Sequence, residues 1–193
     1  MKNSMGEITS DIIRQLYLWG VSESYLIVPS SSLEREQVQS YWNALHQADT
    51  LKYRWSDMTD PLPREVGALH YVTPSTYFVI DVVTRLPVAE FALCNFTGKA
   101  AQIHFSMHPT NPTNLSLFLA EHTTNLILNR WTEVDNLEQS YLDTLFGVTP
   151  KSNRVACLFI RKVGFTPVGV LPSGTMFKGR VDDALLTIKE RLN

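Results

Sequence analysis

The sequence predicts a single mixed α/β domain. Three observations lead there. Three short runs rich in β-branched and aromatic residues follow one another across residues 76–107, a helix with a marked apolar side follows to about Arg130, and Asn153 to Phe165 reads as a helix that ends on a glycine and passes into a strand. A chain of 193 residues is long enough for one well-filled core and short for two domains. With 44% hydrophobic and 19% charged residues, it has the balance of a soluble globular protein.

In chain order, residues 1–20 predict a short helix with Ile8, Ile12, Ile13 and Leu16 on one face and Gly20 at its end. Tyr25 to Val28 reads as a strand cut by Pro29. Ser30, Ser31 and Ser32 offer caps for a helix over about 33–47, with Glu34 and Glu36 in its first turn and Val38, Tyr41, Trp42 and Leu45 on its apolar side. Residues 49–74 have no regular pattern, and Asp60-Pro61-Leu62-Pro63 is a turn signal. Strands follow at 76–84, 88–96 and 101–107, the last two joined by the hairpin-like turn Thr97-Gly98-Lys99.

The loop His108–Asn114 leads into a helix with Leu115, Phe118, Leu119, His122, Leu126 and Ile127 on one side. Residues 131–136 link it to a strand over 141–146. The helix over 153–163 has Ser152 as a candidate N-cap, an apolar stripe of Val155, Leu158, Phe159 and Val163, the cations Arg161 and Lys162 in its last turn, and Gly164 as its stop. A strand over 165–171 ends at the turn Pro172-Ser173-Gly174. Residues 176–189 start extended and end as strand or as helix.

The bulk properties exclude several classes. A net charge of −2 gives no whole-chain reason to bind nucleic acid, and Lys151, Arg154, Arg161 and Lys162 read first as a solvated helix face. Cys94 and Cys157 form neither a metal pattern nor a disulfide framework; buried thiols in a reducing, cytoplasmic setting are expected. The polar N-terminus lacks a signal-peptide core, and no apolar run approaches bilayer-spanning length. His104 and His108 lie about 13 Å apart if the strand continues, too far for one metal, so no metal site is expected. No hydrolase elbow, phosphate-binding loop or dinucleotide fingerprint is present.

Asn153, Ala156, Phe159–Ile160, Lys162 and Gly164–Phe165 fall in one order and spacing, preceded by Gly147-Val148-Thr149-Pro150. This string resembles the GNAT-type N-acetyltransferases. The resemblance implies a mostly antiparallel, twisted mixed sheet of the seven-strand class with helices on both faces. It implies one domain over 1–193, variable over 1–75, with the core sheet and cofactor-type helices over 76–193. Acetyl-CoA, or another acyl-CoA, is the implied cofactor and an amine the implied acceptor, with the variable part shaping the acceptor site. The implied cofactor contacts are Phe105, Met107, Asn111, Thr113, Asn114 and Asn153.

Three positions depart from the family pattern. The phosphate-binding loop of the family is glycine-rich, because backbone N–H groups must approach the phosphates. His108–Asn114 has no glycine, Arg or Lys, and its two prolines have no N–H to give, although His108 could add charge below its pKa. Ala100, Ala101 and Gln102 occupy the start of the third meander strand, where the family often places a catalytic Glu. Glu90 and His104 are the nearest substitutes for that base. Ile160 stands where the family commonly has an acidic Tyr, and Asn153 reads equally as a cofactor contact or as a helix cap.

Two functions stay open: an acyl-CoA-dependent N-acetyltransferase with a rearranged site, or a non-catalytic assembly protein with protein partners on the same scaffold. A looser similarity to tailed-bacteriophage proteins would make the second virion-associated. The enzyme requires an open V between strands 101–107 and 141–146. The assembly protein requires that cleft filled, for instance by Trp55 or Phe118, and an exposed apolar patch elsewhere.

Overall fold

The computed structural model describes residues 20–50, 75–135 and 142–191, the side chains of 130–135 excepted. The expected N-terminal helix and most of the irregular stretch 49–74, Trp55 included, lie outside these residues. The described strands form one eight-stranded sheet: β1 (Gly20–Ser22), β2 (Tyr25–Pro29), β3 (Thr76–Asp81), β4 (Pro87–Thr97), β5 (Ala100–Met107), β6 (Thr144–Pro150), β7 (Thr166–Phe177) and β8 (Arg180–Glu190). Their order is β1-β2-β3-β4-β5-β6-β8-β7, and every pairing is antiparallel except β5 with β6. The helices are α1 (Arg35–Gln47), α2 (Thr113–Asp135) and α3 (Arg154–Lys162).

Alternation along the meander decides which side each helix covers. Phe78, Glu90 and Ser106 are register partners and share one face; Tyr77, Phe91 and Phe105 share the other. The first face packs on α1, where Val38, Tyr41, Trp42 and Leu45 join Val28 and Phe78 in a small core. Full burial of side chains as large as Tyr41 and Trp42 contributes about 2 to 3 kcal/mol each. The second face carries the main core, in which Phe91, Leu93, Ala101, Ile103 and Leu145 meet Leu119, Ile127 and Leu128 of α2 and Ile160 of α3. Helices therefore cover both faces.

Several local expectations change. The serines before α1 form a single 3-10 turn, and Glu34 caps the helix in a reciprocal box with Gln37. α2 runs past Arg130 to Asp135, since residues 131–135 hold no Gly or Pro to stop it. Its buried positions among the described side chains are Ser116, Leu119, Ala120, Thr123, Thr124, Ile127 and Leu128, while His122 is exposed and donates from Nδ1 to the Phe118 carbonyl. Gly147-Val148-Thr149-Pro150 continues the strand past its expected end at 146, because it pairs with β8 through Pro150↔Ala184.

Pro172-Ser173-Gly174 is a bulge inside β7, and residues 180–190 are strand. In α3, Val155 and Leu158 are 79% and 59% exposed, and the inward side is Ala156, Phe159, Ile160 and Val163. Apolar residues occupy both sides of this short helix, so spacing alone does not choose between them. Gly164, at φ 97°, ends it as expected. Cys94 and Cys157 are half-buried rather than buried.

Candidate functional site

The single parallel junction creates the site. β5 and β6 pair only at Ala100↔Thr144, Ala101↔Leu145 and Gln102↔Phe146. Beyond Gln102 and Phe146 the strands diverge, while β5 stays paired to β4 and β6 to β8. The closed end is pinned by Asp143 and Thr144, whose N–H groups donate to the Lys99 carbonyl, with a Lys99–Asp143 ion pair at 3.4 Å. The open end is a cleft of about 1380 Å³ lined by both strands. Its inner strand edges have no partner strand among the described residues.

One wall of the cleft runs into α2. In the preceding loop the His108 N–H donates to the Val88 carbonyl, the Asn111 N–H to the His108 carbonyl and the Asn111 side chain to the Val88 carbonyl. These bonds hold the loop against β4. Burial pulls the His108 imidazole pKa below its ordinary value, which works against a charge there. What the loop offers is the first turn of α2. Ser116 makes the first intrahelical bond, to Pro112, so the amides of Thr113, Asn114 and Leu115 precede the helix's own acceptors. Those amides at the positive end of the helix dipole suit one phosphate, not a pyrophosphate wrapped by a glycine-rich loop.

The other wall is β6 and the start of α3. Asn153, not Ser152, caps α3: its Oδ1 accepts from the Ala156 N–H at 3.2 Å. Ser152 instead donates from its N–H and its hydroxyl to Asp182, at 2.8 and 3.1 Å. These bonds hold the Asp182 carboxyl below its ordinary pKa. Asp183 completes the clasp. Its carbonyl accepts from the Lys151 N–H, its carboxylate lies 3.7 Å from Lys151 Nζ, and it accepts from the Ser173 N–H in the β7 bulge. Two adjacent acids of β8 thus fix two cleft-lining segments. Ile160 packs inward, its Cδ1 3.8 Å from where a Cβ on Gly147 would lie, and has no proton to give.

On the α1 side of the sheet, His104 and Ser106 line the cleft two residues apart on β5. Glu90 does not line it. Its side chain is 0% exposed, and its Oε2 accepts from Ser106 Oγ at 3.1 Å. The Tyr41 hydroxyl lies 2.9 Å from both the Ser106 carbonyl and Ser106 Oγ. A buried carboxylate is costly unless hydrogen-bonded; this one reaches the cleft through one serine hydroxyl.

Of the residues expected from sequence, His104, Phe105, Met107, Asn111, Thr113 and Asn153 come together around the cleft, while Glu90 and Asn114 stand outside its lining. Phe105 lies against Phe159 of α3, ring centroids 5.8 Å apart. Sequence reasoning missed Ser106, which register places beside Glu90, and the wall formed by Thr175, Met176, Phe177 and Lys178. That wall exists because three residues, Pro172 to Gly174, oppose the single Asp183 between Leu171↔Ala184 and Thr175↔Asp182. The bulge bends the distal hairpin. The Lys178-Gly179 turn, both residues at positive φ, closes it with the geometry of a two-residue hairpin loop.

Solved structures with a similar fold are acetyltransferases. An acetyltransferase of the GNAT family from Bacillus anthracis superposes with a TM-score of 0.68 at 12% identity, covering 88% of this chain and 96% of that one. The fold is that of the GNAT acetyltransferases. Spermidine N-acetyltransferase from Vibrio cholerae, in complex with CoA and spermine, matches at TM-score 0.62 and 16% identity, covering 88% and 97%. The microcin C7 self-immunity acetyltransferase, in complex with acetyl-CoA and AMP, matches at 0.65 and 11%, covering 88% and 94%. No protein-family model and no curated protein matches the chain by sequence. The eight described strands exceed the seven-strand expectation, but the mixed, mostly antiparallel GNAT sheet is the one expected. No helix among the described residues is long and apolar enough to cross a membrane.

Proposed function

We propose that this chain binds an acyl-CoA, acetyl-CoA in the first instance, in the cleft between β5 and β6 and transfers its acyl group to an amine. The observation that carries the reading is the divergence of the two strands after Gln102↔Phe146, which leaves two strand edges facing an open slot with no partner strand among the described residues. Such edges suit an arm that itself contains amides, as the pantetheine arm does. Phe105 and Met107 line one edge, Gly147 to Pro150 the other, and Asn153 has its Nδ2 left to donate once Oδ1 has capped α3. The α2 first turn takes a phosphate, with Thr113 and Ser116 adding hydroxyls.

The bound thioester supplies an activated acyl group; the chain's own residues must orient the amine and remove its proton. Ser106 is placed to accept that proton from the cleft while its own passes to Glu90. His104, on the same face two residues along, is the second group in reach. The departing thiolate takes its proton from solvent, since Ile160 has none.

Phe118, one residue that would fill the cleft in an assembly protein, packs instead against the main core and is absent from the lining. Calorimetric titration with acetyl-CoA is the direct test. Micromolar binding, about −8 kcal/mol, is expected, followed by thiol release on adding amines. Glu90→Gln and Ser106→Ala should each lower kcat by about 10²-fold or more with little change in acetyl-CoA affinity. No heat and no thermal shift at millimolar acetyl-CoA would sink the reading.

A further inference from the structure

Strand register sets Phe78 on β3, Glu90 on β4 and Ser106 on β5 in one row beneath α1. Tyr41 of α1 lies over that row and is 1% exposed. Its ring meets Trp42 and Phe78 edge-on, with centroids 5.2 and 5.4 Å away, and His108 at 5.9 Å. A ring so enclosed holds its hydroxyl in one place, and a buried phenol hydroxyl needs hydrogen-bond partners. Two acceptors of one residue stand 2.9 Å from it, the Ser106 carbonyl and Ser106 Oγ. Ser106 Oγ is in turn 3.1 Å from Glu90 Oε2. The ring alone would serve the packing; the hydroxyl adds the two contacts to Ser106.

We infer, on the acyl-transfer reading, that Tyr41 is a positioning residue: its hydroxyl holds the Ser106 hydroxyl toward Glu90 and stabilises Ser106 Oγ as the proton leaves it. Ser106 Oγ has one proton and two lone pairs. A carboxylate is a stronger acceptor than a phenol, so that proton points to Glu90. At rest the Ser106 carbonyl accepts the Tyr41 proton. In the transfer step the amine nitrogen bonds to the thioester carbon. One N–H bond breaks as an O–H bond forms at Ser106 Oγ, and the serine's own proton moves to Glu90 Oε2. The thiolate leaves with the electron pair of the C–S bond and is protonated by solvent. The Glu90 proton returns through Ser106 to the cleft before the next turnover. As its proton leaves, Oγ becomes the better acceptor, and a turn about the Tyr41 C–O bond carries the phenol proton to it. The contact is therefore stronger in the transition state than in the ground state, so it raises kcat and leaves cofactor affinity alone.

Tyr41→Phe keeps the ring, and with it the packing, and removes the hydroxyl. The parent, Tyr41→Phe, Ser106→Ala and the double variant are first compared by calorimetric melting and by titration with acetyl-CoA. Thiol release from acetyl-CoA is then followed with glycinamide, benzylamine and propylamine as acceptors. Tyr41→Phe should lower kcat about tenfold with the KM for acetyl-CoA within about twofold of the parent. On the Ser106→Ala background the same substitution should cost nothing more, because the group it acts through is gone. Full kcat in Tyr41→Phe, while Ser106→Ala has lost it, overturns the inference and leaves the acyl-transfer reading standing. A further loss in the double variant also overturns it, as does a rise in KM that matches the fall in kcat, since either marks a structural role. Absent heat with acetyl-CoA in the parent, no thiol release with any of the three amines, or full kcat in Ser106→Ala removes the acyl-transfer reading itself, and the role of Tyr41 falls with it.

Discussion

Asn153 caps α3 and lines the cleft, and one substitution series can separate the cap from the cofactor contact proposed for it. Its Oδ1 accepts from the Ala156 N–H at 3.2 Å, the third amide of a helix only nine residues long. Removing an Asn cap costs about 1 kcal/mol. In a chain of 193 residues that corresponds to roughly 2 to 4 °C in melting temperature. Asn153→Ala should show that loss in calorimetric melting. Asn153→Ser keeps a cap oxygen and should melt within about 1 °C of the parent, yet it lacks the Nδ2 donor. If that donor meets the acyl-CoA arm, Asn153→Ser should weaken acetyl-CoA binding by about two- to tenfold, the worth of one hydrogen bond. An unchanged melting temperature in Asn153→Ala refutes the capping argument. Full acetyl-CoA affinity in Asn153→Ser refutes the contact, leaving Asn153 a structural residue alone.

Other outcomes follow from single contacts. Lys189 donates to Thr124 Oγ1 at 2.8 Å and to the Val163 carbonyl at 3.0 Å, and burial lowers its pKa from 10.5 to about 8. The unfolded chain therefore holds this proton to higher pH than the folded one, and stability attributable to Lys189 rises between pH 8 and 10.5. After allowance for its partial exposure the rise is about 1 to 2 kcal/mol. Urea unfolding of the parent against Lys189→Met across that window should show the difference, and parallel curves would dismiss it. Gly147→Ala would place a Cβ 2.9 Å from the fully buried Thr187 Oγ1. It should cost about 1 to 3 kcal/mol, with recovery in the double variant carrying Thr187→Ala. Asp182→Ala should raise the KM for acetyl-CoA more than it lowers kcat, because Asp182 holds the turn before Asn153 and touches no reacting atom. Equal changes in both would count against a positioning role.

Where one side of an element is buried and the other wet, the sequence declares it. The β3–β5 meander and the stripe Val38, Tyr41, Trp42, Leu45 could be read directly for that reason. β7 could not: Thr166 to Leu171 are exposed along both faces, so no alternation marks them as strand. The Pro172–Gly174 bulge looked like a turn because it has turn composition, and only pairing to β8 shows that the strand resumes. The polar pair Asp182–Asp183 sits in a strand because its side chains serve neighbouring loops, a tertiary role that local pattern does not encode. At the site, resemblance to a family supplied Phe105, Met107, Asn111, Thr113 and Asn153 of the lining. The hairpin wall depended on the bulge and stayed hidden with it.

The three-pair junction between β5 and β6 also explains how so much of the family pattern can be missing. Mechanically the sheet is two stiff panels, β1 to β5 and β6 to β7, meeting at a short hinge. The gap beyond the hinge is a property of backbone direction, not of the side chains that line it. A ligand lying in the gap would serve as an interposed strand and bolt the panels together. Such a slot survives replacement of the glycines, the acid and the base around it, leaving chemistry free to be rebuilt from whatever residues the panel edges present.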